Sequence, residues 1–85
     1  MEVAYTKKAK EDIAFWKNSG NKKIMAKISD LINAISQTPF EGIGKPEPLK
    51  YNLTGCWSRR INNEHRLVYE VINNHILIHS LKGHY

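Results

Sequence analysis

The apolar positions of the chain repeat with two different periods. Ala9, Ile13 and Trp16 recur at the spacing of one helical face over residues 7–18, and Ile24, Ile28, Leu31 and Ile35 do so further on, with Met25 and Ile32 widening the stripe. Thr6 and Asn21 stand where a helix start needs a side-chain oxygen, and Gly20 where a helix end takes a left-handed residue. Pro39 ends the second helix by disfavouring helical backbone at Thr38. The helices are joined by so few residues that they form an antiparallel hairpin. Trp16 falls on the apolar stripe and reads as core. Lys22, Lys23, Lys27, Asp30 and Asn33 occupy the opposite face and read as solvated surface.

Elsewhere the period is two. Val3 and Tyr5 alternate with Glu2 and Ala4, which suits a short first strand. Three further strands are expected at about 53–61, 66–72 and 75–81, separated by Asn-rich turns, and Asn73-Asn74 supplies the positive φ of a two-residue hairpin. Alternation puts Leu67, Tyr69 and Val71 on one face with Ile76 and Ile78, and that face is expected to pack on the helices. Arg66, Val68 and Glu70 take the other face. An even-length loop at Asn62-Asn63 would add Trp57, Arg59 and Ile61 to the Arg66 side. The expected fold is α+β: an N-terminal strand, then a two-helix antiparallel hairpin packed on one face of a mainly antiparallel sheet, in a single domain over residues 1–85.

Residues 40–52 interrupt both periods. Gly42, Gly44, Pro46 and Pro48 make a helix or a central strand unexpected there. Glu47 lies between two prolines, and the stiffened loop presents its carboxylate at low entropic cost. By itself it reads as an ordinary exposed loop acid, just as Arg66 alone reads as a partner for Glu70 or another acid in a surface ion pair.

Composition narrows the class. With 85 residues and 41% apolar content, one modest core is expected, with no room for a separate cofactor domain. The single Cys56 cannot form an internal disulfide and reads as a structural thiol in a reducing cytoplasm. The start, MEVAYTKKAKED, lacks a signal peptide's apolar run, and no stretch is apolar enough to span a membrane. A net charge of +5 fits a protein that meets a polyanion. His65, His75, His79 and His84 form no ligand pair at zinc spacing with Cys56 or a helical carboxylate, so no metal is expected. Phosphate-binding glycine loops, serine nucleophile motifs and helix-turn-helix DNA readers are also missing, so DNA binding by the chain alone is not expected.

The TPFEG turn, the runs GKPEPLK, LTG-x-WSRRI and EHRLVY, and the terminal HY together resemble the YoeB/Txe toxins of bacterial toxin–antitoxin systems, within the RelE-like ribonuclease superfamily. The resemblance covers essentially the whole chain. It implies the RelE-like microbial ribonuclease fold and an mRNA interferase that cuts messenger RNA in the ribosomal A site without a metal or other cofactor. It assigns Glu47 as general base, Arg66 as the phosphate-binding cation, His84 as general acid and Tyr85 as a supporting aromatic. Lys50 and the Arg59-Arg60 pair fall where basic residues hold RNA, with the choice between the two arginines left open. It also implies an antitoxin partner of the YefM type and leaves a toxin homodimer open.

The chemistry is consistent with those roles. Metal-free RNA cleavage uses the neighbouring 2′-hydroxyl as nucleophile, and needs a base for its proton, a cation for the phosphate and an acid for the departing 5′-oxygen. A carboxylate, an arginine and a histidine supply these. The competing reading is a non-catalytic basic module that clamps ribosomal RNA or a partner protein. A pure clamp has no use for Glu47 or His84.

Overall fold

The computed structural model describes residues 1–84, so the expectation for Tyr85 lies outside the described residues. The chain runs β1 (Glu2–Tyr5), α1 (Lys7–Ser19), α2 (Lys22–Gln37), β2 (Glu47–Pro48), a 3-10 turn (Tyr51–Leu53), β3 (Cys56–Arg60), β4 (Arg66–Ile72) and β5 (His75–Ser80). Both helices begin as their caps dictate: Thr6 accepts a hydrogen bond from the Ala9 amide, and Asn21 accepts one from the Ile24 amide. Gly20 closes α1 at φ 71°, in the left-handed region.

The sheet order is β1-β5-β4-β3-β2. β1 lies parallel to β5, and the other pairs are antiparallel. At the β4–β5 hairpin Asn73 and Asn74 both have positive φ, 48° and 65°, the pattern of a two-residue turn whose twist matches the strands. Leu67, Tyr69, Ile76 and Ile78 are fully buried against Ala9, Trp16, Ile28, Leu31 and Ile35 of the helices. That layer is the main core.

Three features differ from the expected arrangement. The strand expected from residue 53 begins at Cys56, because Tyr51–Leu53 forms a 3-10 turn and Gly55 follows at φ 98°. Glu47–Pro48 makes a short edge strand, a place where proline's missing N–H is tolerated. The third difference concerns the faces. Arg59 pairs with Leu67 and Trp57 with Tyr69, and the five residues between the paired Arg60 and Arg66 make an odd connection. Trp57, Arg59 and Ile61 therefore lie on the helix side, because the even-length connection that would have put them beside Arg66 is not the one formed.

Candidate active site

The sheet face opposite the helices carries Glu47, Ser58 and Val68 in one cross-strand row, with Arg60 and Arg66 paired in the next. A second small cluster of Leu49, Cys56 and Val68, joined by Leu53, packs the Glu47 loop onto this face. Glu47 and Lys50 are exposed and line a cleft of about 410 Å³ together with Tyr51. Tyr51 is 90% exposed and has φ 59°, a left-handed backbone that a bulky side chain adopts at a cost. Sequence reasoning passed over it. Its signal was an aromatic residue within the Pro-rich loop, four positions from Glu47.

Arg66 is held firmly. Its side chain is mostly buried, and Nη1 donates to the carbonyls of Asn62, Asn63 and His65 at 2.9, 3.4 and 3.3 Å. No ion pair joins it to Glu70, whose carboxylate instead meets His79 at 2.9 Å. The Arg66 backbone N–H donates to Gly83 O at 3.1 Å, which brings the residue before His84 alongside β4.

The segment leading to His84 is tied down from several sides. Leu81 N–H donates to Asp12 Oδ2 at 2.9 Å, Trp16 Nε1–H donates to Leu81 O at 2.9 Å, and Gly83 N–H donates to His65 Nδ1 at 2.9 Å. Trp16 is 5% exposed, as its place on the apolar stripe required, and its ring stands edge-on to His65 at 4.8 Å. Asp12, 4% exposed and paired with Lys8 at 2.7 Å, was not anticipated as a tether; nothing local in α1 marks it. His84 itself is exposed.

The two arginines of the WSRRI run part company. Arg60 is exposed and in register with Arg66. Arg59 is fully buried: Nη2 donates to Thr38 O at 2.6 Å and Glu41 O at 2.9 Å, Nη1 to Ile43 O at 3.1 Å, and Nε to Tyr69 Oη at 3.3 Å. The expectation of Arg59 as a substrate contact is thus corrected. Its guanidinium faces into the TPFEG loop, because the odd connection turned it inward. A Cβ on Gly42 would come within 3.3 Å of Arg59 Nη1, so this glycine lets the loop close around the cation. Tyr69 donates to Pro39 O from the same cluster. Burial pushes the Tyr69 phenol up from its ordinary value, with Arg59 opposing the shift.

The expectation that no metal ligands converge also changes. Cys56 and Glu70 are cross-strand partners, and His79 joins them, so their ligand atoms lie within 4.8 Å of one another. The thiol is free and buried, and its pKa is raised first by burial and then by the Glu70 charge. Sequence spacing could not show a cluster assembled from three strands.

An N-terminal strand and a two-helix hairpin on one face of a mostly antiparallel five-stranded sheet is the fold of RelE-like toxins. The model of the YoeB-like toxin of bacterial type II toxin–antitoxin systems matches residues 5–85. A toxin YoeB of Synechocystis is 51% identical over 85 residues, covering 100% of this chain and 98% of the relative. Among solved structures, the YoeB/ParE toxin from Agrobacterium tumefaciens superposes with a TM-score of 0.96 at 40% identity, covering 100% of both chains. A YoeB–YefM complex from Staphylococcus aureus gives 0.90 at 50% identity, covering 100% of this chain and 98% of the other, and a YoeB dimer from that organism gives 0.90 at 49%, with the same coverage. The chain belongs to the YoeB family and is the toxin of a type II toxin–antitoxin system.

Proposed function

We propose that the chain is a metal-independent endoribonuclease that cuts messenger RNA in the ribosomal A site and so stops translation. The observation that carries this reading is the hydrogen bond from the Arg66 amide to Gly83 O: it brings the segment ending in His84 to the strand whose guanidinium is fixed on the open face. Glu47 lies across that face on the edge strand. Glu47 and Arg66 thereby lie on one sheet face, and the backbone leading to His84 runs beside Arg66, which supports this reading.

Glu47 takes the proton of the 2′-hydroxyl, whose oxygen attacks the adjacent phosphorus. Arg66 neutralises the charge that builds on the phosphate oxygens, and its fixed fork needs no reorganisation as the reaction proceeds. His84 delivers a proton to the departing 5′-oxygen. The products are a 2′,3′-cyclic phosphate (or the 3′-phosphate formed by its hydrolysis) and a 5′-hydroxyl; DNA, without the 2′-hydroxyl, is not cut. Arg60 and Lys50, both exposed, hold the flanking phosphates, and Tyr51 and Tyr85 offer stacking surfaces to bases. The cytoplasm is where such a substrate is met.

By likeness to the staphylococcal complex, a YefM-type antitoxin is the partner, its acidic segment lying on this basic surface, and a toxin dimer is the second assembly. Primer extension on a ribosome-bound message tests the activity. Wild type should leave 5′ ends inside the occupied codon, and Glu47→Ala and His84→Ala should each cut at least ~10²-fold more slowly. Stalled translation on intact message would instead establish a clamp without catalysis.

A further inference from the structure

We propose that Cys56, Glu70 and His79 form a zinc site on the open face of the sheet. Each contributes a different donor atom, and together they suit a borderline-soft divalent cation better than magnesium or calcium, which take oxygen ligands. The three come from adjacent strands, β3, β4 and β5. Their ligand atoms already lie within 4.8 Å of one another, so modest rotations of the side chains bring them to the spacing of a tetrahedral site.

The backbone accounts for the convergence. Cys56 and Glu70 are paired residues and so project to the same face. His79 reaches them through an irregularity: Tyr69 pairs with Ile78 and Val68 with Ser80, so β5 contains one unpaired extra residue, and that residue is His79. A bulge re-aims the side chain it carries. Here it directs His79 to Glu70, with Nε2–H donating to Oε1 at 2.9 Å.

Access and rigidity also fit. The Glu70 and His79 side chains are about one-third exposed, 32% and 34%, so an ion enters from solvent, whereas Cys56 at 8% exposure closes the inner side. On binding, zinc replaces the Nε2–H···O bond. The Cys56 S–H bond breaks and its proton leaves to water, the imidazole carries its proton on Nδ1 instead, and Zn–S, Zn–N and Zn–O bonds form, with water in the fourth position. No oxidation or reduction is involved. Neither Glu47, Arg66 nor His84 belongs to this site, so it is a structural clip independent of the cleavage chemistry. The Cys56 carbonyl also accepts a hydrogen bond from Leu49 N–H at 2.9 Å, so the clip fastens the strand against which the Glu47 loop rests.

The test uses the full chain, freed of metal with a chelator and titrated with Zn²⁺ by calorimetry and with Co²⁺ by absorption. The expected result is one site with a dissociation constant below about 10 µM, a thiolate-to-cobalt charge-transfer band, and a raised unfolding temperature at saturating Zn²⁺. Cys56→Ser, Glu70→Gln and His79→Gln should each weaken binding by at least about tenfold. His75→Gln, which alters the separate His75–Glu2 pair, should bind as wild type does. Circular dichroism of each metal-free variant establishes folding, and if Cys56→Ser fails to fold, the cobalt spectrum of wild type and the His79→Gln titration decide. A cobalt complex without the thiolate band, or zinc affinity unchanged in His79→Gln, overturns the site.

Discussion

The Arg59 guanidinium provides the sharpest distinction between a structural and a substrate-binding cation. Replacing it with methionine keeps much of the side-chain volume and removes the donors to Thr38 O, Glu41 O and Ile43 O and to the Tyr69 hydroxyl. A buried acceptor left without its donor costs about 1–3 kcal/mol. The three carbonyls belong to a surface loop that water can partly reach, which favours the lower end and gives about 3 kcal/mol in all. Relief of the buried charge offsets part of this, and disorder of the 38–45 loop adds to it, so about 2–4 kcal/mol is expected. For a domain of this size that is a fall of roughly 10–30 °C in Tm. Arg59→Lys keeps the charge without the planar fork, and should recover little of the loss. Urea unfolding followed by circular dichroism measures it, with Arg60→Ala alongside. Arg60→Ala is expected to change stability by less than about 0.5 kcal/mol while weakening RNA binding. An Arg59→Met protein as stable as wild type but deficient in RNA binding would refute the reasoning.

Further outcomes follow from the tail and the surface. Deleting residues 84–85 should leave RNA binding within about threefold of wild type, by gel shift, while cleavage falls at least ~10²-fold with loss of the acid. Asp12→Ala removes the acceptor for the Leu81 amide and should cost about 1–3 kcal/mol in urea unfolding, with faster hydrogen exchange at Leu81 and Gly83. His75 is held above its ordinary pKa, first by its hydrogen bond to the Asn73 carbonyl and then by Glu2. A raised folded pKa means that this stabilisation is fully present below the unfolded value near 6.5 and is lost as pH rises through the folded value. The unfolding midpoint of wild type should therefore exceed that of His75→Gln more at pH 5.5 than at pH 8.5.

What the sequence disclosed depended on how local the determinant was. Thr6, Asn21 and Gly20 act within a turn of where they stand, and the two helices begin and end around them as expected. The 66–72 strand and its hairpin to β5 were likewise legible, because Asn73 and Asn74 need only their own backbone to make the turn. Arg59 was not legible, since its face depended on whether the connection to β4 had an odd or even number of residues. One residue of difference exchanges the core side for the open side. The tether at Asp12 and the group formed by Cys56, Glu70 and His79 depend on partners far along the chain, and the bulge that aims His79 shows in the sequence only as a step in the core-facing positions from Ile76 and Ile78 to Leu81. Trp16 shows an intermediate case: its burial was readable from the helical stripe, whereas its hydrogen bond to Leu81 was not.

The parallel pairing of β1 with β5 bears on how the toxin is made. In the sheet β1 has β5 as its neighbour, with Glu2 opposite His75 and Tyr5 opposite Ile78. A nascent chain that has not reached residue 75 therefore has a first strand with nowhere to dock, and Asp12 and Trp16 wait for a Leu81 that has yet to emerge. Contacts this distant in sequence form late, after the costly closure of nearly the whole chain. The docking of β1 and the ties from Asp12 and Trp16 therefore belong to the last steps of folding.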